Sequence, residues 1–324
     1  MENLQNTESS ATSFQNTSAL KTNGIIAAIG NTPLIQLQTI APDLPPDVTI
    51  YLKAEHLNPS GSVKDRAARA MILDGIKTGK LTQGRTILDA TSGNTGIAYA
   101  MIGSALGIKV ALCMPKNASP ERKSILRAYN AQLFETDPLL SSDGAMIYAR
   151  ELAEQHPDLY FYPDQYNNEA NWKSHYDTTA VEIWQQTKGL VTHFVAGMGT
   201  SGTFIGTSRR LKDFNPTIQT IAMQPDSPMH GLEGMKHMDS TIHPGIYDPS
   251  VASSGIEVST EEAYATTLLL ARKEGLFVGI SSGANVAAAI KIARTLAPGS
   301  VLVTILCDNG NRYLGDEVWS NYTI

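Results

Sequence analysis

Lys64 sits in the run Ser60-Gly61-Ser62-Val63-Lys64-Asp65-Arg66, just behind a Pro-Ser-Gly-Ser turn. The run predicts a helix start with Ser62 as its cap. Apolar residues follow at helical spacing, Val63, Ala67, Ala70 and Leu73, which places Lys64 near the first turn of an amphipathic helix. Most lysines are solvated and carry no chemistry. An amine held at a helix mouth can instead bond covalently to a carbonyl. Three loops further along give this second reading its weight.

Each loop is rich in glycine and hydroxyls, follows an apolar run and opens a helix. The first, Ala90-Thr91-Ser92-Gly93-Asn94-Thr95-Gly96, presents backbone N–H groups and side-chain donors at a helix start. That arrangement is an anion site, and a carboxylate suits it. The plain structural reading is a capped turn whose glycines relieve steric crowding. The second loop is Gly197-Met198-Gly199-Thr200-Ser201-Gly202-Thr203. Its first six residues satisfy G-x-G-x-x-G, but the dinucleotide pattern expects an acidic residue at the end of the next strand. Here the first acidic residue after that strand is Asp226, which is late. Three hydroxyls in seven residues fit a compact phosphate better than a pyrophosphate. The third loop is Gly279-Ile280-Ser281-Ser282-Gly283-Ala284-Asn285. Its serines read first as helix caps. The functional alternative is a hydroxyl placed to hydrogen-bond a ring nitrogen.

An amine, a phosphate cradle, a carboxylate site and a ring partner together point to pyridoxal 5'-phosphate. Its aldehyde needs an amine, its phosphate a helix start and its ring nitrogen a partner that tunes electron withdrawal. A neutral serine there makes a mild electron sink, which suits elimination and replacement at a β carbon.

The elements that position these groups alternate. Strands are predicted at 48–54, 86–90, 109–114, 132–135, 193–196, 218–224 and 301–307. Helices are predicted at 64–77, 94–106, 120–129, 143–155, 169–187, 202–213, 261–273 and 284–296. Such alternation is the pattern of an α/β fold with parallel sheets covered by helices on both faces. The helix from Asn94 is apolar nearly all round, so it belongs in a core. Pro, Asp and Asn cluster at 157–171, which reads as a crossing between two lobes. The ligand is expected in a crevice at the carboxyl ends of the strands.

With 324 residues, 42% of them hydrophobic, the chain has material for two lobes with cores of their own. A net charge of −6 offers no basic field for nucleic acid or an anionic membrane. No run reaches membrane-spanning length. The two cysteines, Cys113 and Cys307, lie in apolar runs and read as core residues of a reducing, cytoplasmic compartment. No spacing suggests zinc, and no metal is expected. Residues 1–22 are rich in Asn, Gln, Ser and Thr and lack an apolar signal core. They read as a disordered tail or an arm that packs on a neighbour.

The chain resembles the cysteine synthases (O-acetylserine sulfhydrylases) of the β-family, fold type II, of pyridoxal-phosphate enzymes. The segments that carry the resemblance are Ile29-Gly30-Asn31-Thr32-Pro33-Leu34, Asn58 to Arg66, and the three loops, all in the family's order. Glu182 to Thr187, Cys307-Asp308 and Arg312-Tyr313-Leu314 look like the B-type isoform. The resemblance implies two open twisted sheets with covering helices and the cofactor in the cleft between a smaller and a larger lobe. The smaller, mobile lobe would be 59–165, and the larger one 23–58 with 166–324. It implies that Lys64 bonds the cofactor and moves the α proton, that Gly199, Thr200, Ser201, Gly202 and Thr203 hold the phosphate, and that Ser281 meets the ring nitrogen. Asn94 would contact the ring hydroxyl, and Thr91, Ser92, Asn94, Thr95 and Gln165 the substrate carboxylate. The implied assembly is a homodimer. Serine acetyltransferase, whose tail binds some A-type enzymes, is a partner that these residues do not themselves support.

The reaction expected is β-replacement making L-cysteine from O-acetyl-L-serine and sulfide. O-phosphoserine, thiosulfate or homocysteine (a cystathionine β-synthase role) are alternative reactants, and a non-catalytic paralogue is a remote one. The segment Gly231 to His237 lacks the adjacent arginines that B-type enzymes carry and that are associated with larger anionic donors. Lys236 could substitute as a point charge or be a solvated surface lysine. Arg122 is a second candidate cation. The spacing of His230, His237 and His243 fits no zinc site, and they read as a loop.

Overall fold

The computed structural model describes residues 24–91 and 93–319. Two sheets organise them. One has the strand order β5-β4-β3-β6 and is parallel throughout: Gln132–Thr136, Val110–Pro115, Thr86–Ala90 and Tyr160–Phe161. The other runs β1-β2-β10-β7-β8-β9: Leu34–Gln36, Thr49–Lys53, Val301–Ile305, His193–Gly197, Gln219–Pro225 and Ser254–Val258. It is parallel except at its edge, where β1 pairs antiparallel with β2. That corrects the expectation of purely parallel sheets. Three residues suffice for β1, because an antiparallel edge strand needs no crossover helix.

Side chains alternate across each strand, and this alternation divides the cores. In β7 and β10, Phe194, Ala196, Val303 and Ile305 enter one cluster with Ile183, Phe204 and Leu211. Val195 and Leu302 enter the opposite cluster with Leu268, Val286 and Ala289. The first cluster is covered by α6 (Ala180–Gln186) and α7 (Gly202–Phe214), the second by α8 (Thr260–Leu269) and α9 (Ile280–Ala293). The smaller sheet is sandwiched in the same way. Helices α1 (Lys64–Lys77) and α2 (Asn94–Leu106) pack on one face, and α4 (Ser141–Gln155) packs on the other. Helix α2 is buried nearly all round, as its composition requires. Helix α3 (Pro120–Ala128) borders the cleft between the sheets.

Three expectations about elements need correction. The helix expected over 169–187 is split into α5 (Glu169–Ser174), a π-turn at His175–Thr179 and α6. Helix α7 lies so close that a Cβ at Gly206 would run into Trp172 O and stand 2.9 Å from Tyr176 N. Such π insertions are frequent at functional sites. The helix expected over 261–273 likewise passes into a π-turn at Leu270–Glu274. Helix α9 starts at Ile280, four residues before the expected position, with Gly279 at its cap. Strands β1, β6 and β9 were not expected. Each is short or polar, and only pairing with a neighbour makes it a strand. Among the described residues, no helix is long and apolar enough to cross a membrane.

Candidate active site

The carboxyl ends of β3, β7 and β10 point into one cavity of about 640 Å³ between the two sheets. Such crevices at strand ends are where open α/β sheets bind ligands. Lys64 lines it, as do Thr91, Asn94 and Thr95 of the first loop, Gly199, Thr200, Ser201 and Thr203 of the second, Ser281 of the third, and Gln165. Two of the sequence-predicted residues differ. Ser92 lies outside the described residues. Gly202 is absent from the lining: it opens α7, and a Cβ there would strike Asn171 Oδ1.

Lys64 is placed by the turn before it. Gly61 adopts φ +86°, and a Cβ there would be 3.2 Å from Arg312 Nη2. A left-handed position with so little room suits glycine. Ser62 was expected to cap α1. The cap position is Val63, and the Ser62 hydroxyl accepts from Lys64 N at 3.2 Å instead. Val63 N donates to Cys307 O at 2.8 Å, which ties the turn to the end of β10. Asp65 is fully buried and accepts from Ser60 N at 2.7 Å. Burial raises its carboxyl to about 6 against that hydrogen bonding. Beneath α1 lies an ionic cluster. Arg66 donates to Glu55 at 2.7 and 2.8 Å and to Glu182 at 2.7 and 2.7 Å, and Lys53 meets Glu182 at 2.7 Å.

The first loop is pinned from two sides. Thr95 Oγ1 donates to Gln165 Oε1 at 2.9 Å, and Asn94 Nδ2 donates to Asp308 Oδ2 at 2.7 Å. The Tyr313 hydroxyl donates to the same Asp308 oxygen at 2.6 Å, and Asp308 Oδ1 has no partner among the described residues. Burial raises the Asp308 carboxyl.

The second loop is an anion cradle. Ser201 takes φ +69° at the cap of α7, and its buried hydroxyl has no partner among the described residues. Thr200 Oγ1 accepts from Asn171 Nδ2 at 3.0 Å. Thr203 Oγ1 shares a hydrogen bond of 3.2 Å with His175, whose other ring nitrogen meets Thr179 Oγ1 at 2.9 Å. Burial, with the Arg66 charge, lowers the His175 ring to about 3, so it is neutral. A Cβ at Gly199 would run into Gly234 O, so only glycine lets these backbones approach. Asn285 brackets this loop: its Oδ1 accepts from Gly197 N at 2.8 Å, and its Nδ2 donates to Ile305 O at 2.9 Å.

The third loop overturns the capping expectation for its serines. No side chain caps α9; Ser282 Oγ accepts from Cys307 N at 2.8 Å, and Ser281 lines the cavity. Cys307 is half-buried, lining the cavity while packing against the core of β7 and β10, and burial pushes its thiol up to about 11. Cys113 is a buried core residue. Lys236 is no solvated lysine. It lines the cavity, donates to Thr241 Oγ1 at 3.1 Å and lies 5.4 Å from the Tyr166 ring centre. Arg122 grips Glu233 with both terminal nitrogens. His230 and His237 also line the cavity, and no metal-holding cluster exists among the described residues.

Sequence reasoning missed Asn171, Asn285, Asp308 and Tyr313 as positioning groups. Asn285 stood at the end of the third loop and could have been suspected. Asp308 and Tyr313 lay in segments that carried the resemblance but no role; Asn171 gave no local signal, because its partner Thr200 is 29 residues away in a direction that only the fold sets.

Comparison with known proteins agrees. Residues 25–308 match the family model described as pyridoxal-phosphate dependent enzyme. The chain is 52% identical over 301 residues to a cysteine synthase of Aquifex aeolicus, covering 92% of both chains. It is 40% identical over 297 residues to cysteine synthase B of Salmonella typhimurium, covering 92% of this chain and 96% of that one. The crystal structure of a cysteine synthase (OASS) from Entamoeba histolytica superposes with a TM-score of 0.88 at 31% identity, covering 100% and 96%. The chain belongs to the pyridoxal-phosphate-dependent enzymes, with their fold type II architecture. The donor set fits that cofactor: an unpartnered buried hydroxyl at Ser201, a cradle that a Cβ at Gly199 would fill, and an amine at Lys64 in the same cavity.

Proposed function

We propose that this enzyme makes L-cysteine from O-acetyl-L-serine and sulfide by replacement at the β carbon. The observation that carries the reading is the convergence of Lys64 and the loops opening α2, α7 and α9 on one cavity. When bound, pyridoxal phosphate supplies an electron sink for the carbon acid beside the substrate's amino group. The protein does the rest. The α7 start, with Gly199 to Thr203, holds the phosphate. Ser281 offers the ring nitrogen a neutral hydroxyl, which keeps the sink mild. Asn94, steadied by Asp308, faces the ring hydroxyl. Thr91, Ser92, Asn94, Thr95 and Gln165 take the substrate carboxylate and orient its α carbon. Lys64 Nζ accepts the α proton and later returns it. The smaller lobe, 59–165, closes on the larger, 23–58 with 166–324, and excludes water. Contacts that already span the cleft, such as Asn94 to Asp308, support that closure. The enzyme works as a cytoplasmic homodimer, a reading that two unpaired cysteines and the family resemblance support.

Borohydride reduction of the purified yellow holoenzyme, followed by peptide mass mapping, tests the centre of this reading. The tag is expected on Lys64, with loss of colour in Lys64→Ala. Addition of O-acetylserine should change the cofactor's absorption, and sulfide should then release cysteine. A tag on another lysine, or a spectrum indifferent to O-acetylserine, refutes the assignment. Sedimentation of the holoenzyme tests the dimer.

A further inference from the structure

Two acidic and three strongly basic side chains line the cavity among the described residues: Asp143 and Glu233 against Lys64, Arg122 and Lys236. The three cations are not equally free. Lys64 belongs to the reaction centre. Lys236 is a single point charge, held by Thr241 and the Tyr166 ring, and offers no bidentate fork. Arg122 is the one guanidinium in the described lining, and a guanidinium fork is the group that best matches a phosphate or other multiply charged oxyanion. Its fork is taken. Nη1 and Nη2 each donate to one oxygen of Glu233, the second at 2.7 Å. The Arg122 side chain is only 8% exposed, whereas Glu233 is 47% exposed. The acid therefore stands at the cavity mouth with its charge spent on a buried cation. One face of the same guanidinium lies 5.3 Å from the Tyr313 ring centre, and only Nε lacks a hydrogen-bond partner among the described residues.

We propose that Glu233 sets the charge selectivity of the site: by filling the Arg122 fork it disfavours co-substrates that carry a multiply charged oxyanion at the reacting end. This rests on the β-replacement reading above and deepens it. The physical reason is additive charge. A loaded site already holds the cofactor's phosphate and the substrate's carboxylate. A further dianionic group entering there needs a cation of its own, and the only fork within the described lining is neutralised. O-acetylserine and hydrosulfide make no such demand. Glu233 is thus a specificity-determining residue, and its effect is conditional on Arg122.

The holoenzyme and its Glu233→Gln variant distinguish this from a purely structural tie between α3 and the 226–246 loop. Glutamine keeps the shape and one acceptor but removes the charge. The kcat/KM ratio of O-phospho-L-serine to O-acetyl-L-serine, with sulfide as acceptor, should rise by about tenfold or more, the size of a charge-assisted hydrogen-bonded contact. Calorimetric titration with thiosulfate should show binding tightened by a similar factor, a readout that needs no turnover. The double variant Arg122→Met/Glu233→Gln should lose both gains. A ratio and a thiosulfate affinity unchanged in Glu233→Gln, or gains that persist without Arg122, overturn the proposal. Wild-type holoenzyme is titrated with O-acetylserine in parallel. A normal spectral response there, with no change of ratio in the variant, sinks the selectivity role alone, whereas no response sinks the β-replacement reading beneath it.

Discussion

Two arginines of this protein grip carboxylates with the same fork, in opposite surroundings. Arg66 lies under the reaction centre, fully buried, with Glu55 also fully buried and Glu182 nearly so. Arg122 is buried as well, but its partner Glu233 stands at the cavity mouth, half in solvent. For Arg66, burial works against the charge, and the two carboxylates raise its basicity despite that. The reciprocal effect holds Glu55 at about 2: burial opposes ionisation, and Arg66, with a hydrogen bond from Thr32, outweighs it. Water cannot substitute for a missing partner there. At Glu233 it can. The same chemical pair is therefore structural in one place and adjustable in the other, because the penalty for breaking it scales with burial.

The largest consequence concerns the buried cluster. Arg66→Met leaves the buried Glu55 carboxylate without its guanidinium and Glu182 with Lys53 alone, and should destabilise the protein by about 3–5 kcal/mol in urea unfolding. A loss near that expected of a surface pair would abolish the contrast. The acid limb comes next. Glu55 is lowered from 4.5 to about 2, so its stabilising contribution is complete above pH 4.5 and is lost as pH falls toward 2. Denaturation at a series of pH values should show a fall of about 3 kcal/mol across that window. The slope should flatten in Glu55→Gln.

Asp65, next in the chain to Arg66, should behave with the opposite sign. Its carboxyl is raised from 3.8 to about 6, so the folded state binds more protons across that interval and stability falls as pH rises through it. An effect of about 2–3 kcal/mol is expected, absent from Asp65→Asn. Equal slopes for variant and wild type between pH 4 and 6 would falsify the raised value. The smallest effect belongs to the mouth. Glu233→Gln should change stability by less than about 1 kcal/mol while shifting substrate selectivity. A stability loss comparable to that of Arg66→Met would show the two clamps to be alike.

Much of this was legible in the residues. The alternation of apolar runs and amphipathic stretches placed seven of the ten strands among the described residues, and the three loops announced themselves by glycine and hydroxyl content. Strands β1, β6 and β9 were hidden because they are strands only by pairing. The π-turn at His175–Thr179 was hidden because α7 imposes it through Gly206. The local reading of the third loop's serines as caps failed, since nothing local reveals that Ser282 turns toward Cys307 N across 25 residues.

Local chemistry and spacing thus determined the class of fold, the amine at Lys64 and the starts of α2 and α7, because each depends on residues within one turn of one another. Which cation is engaged, which carboxyl burial lifts above its usual range and which hydroxyl lacks a partner among the described residues were decided only in three dimensions. Those properties depend on burial and on contacts between distant segments, such as Arg122 with Glu233 across 111 residues, and a linear chain contains neither.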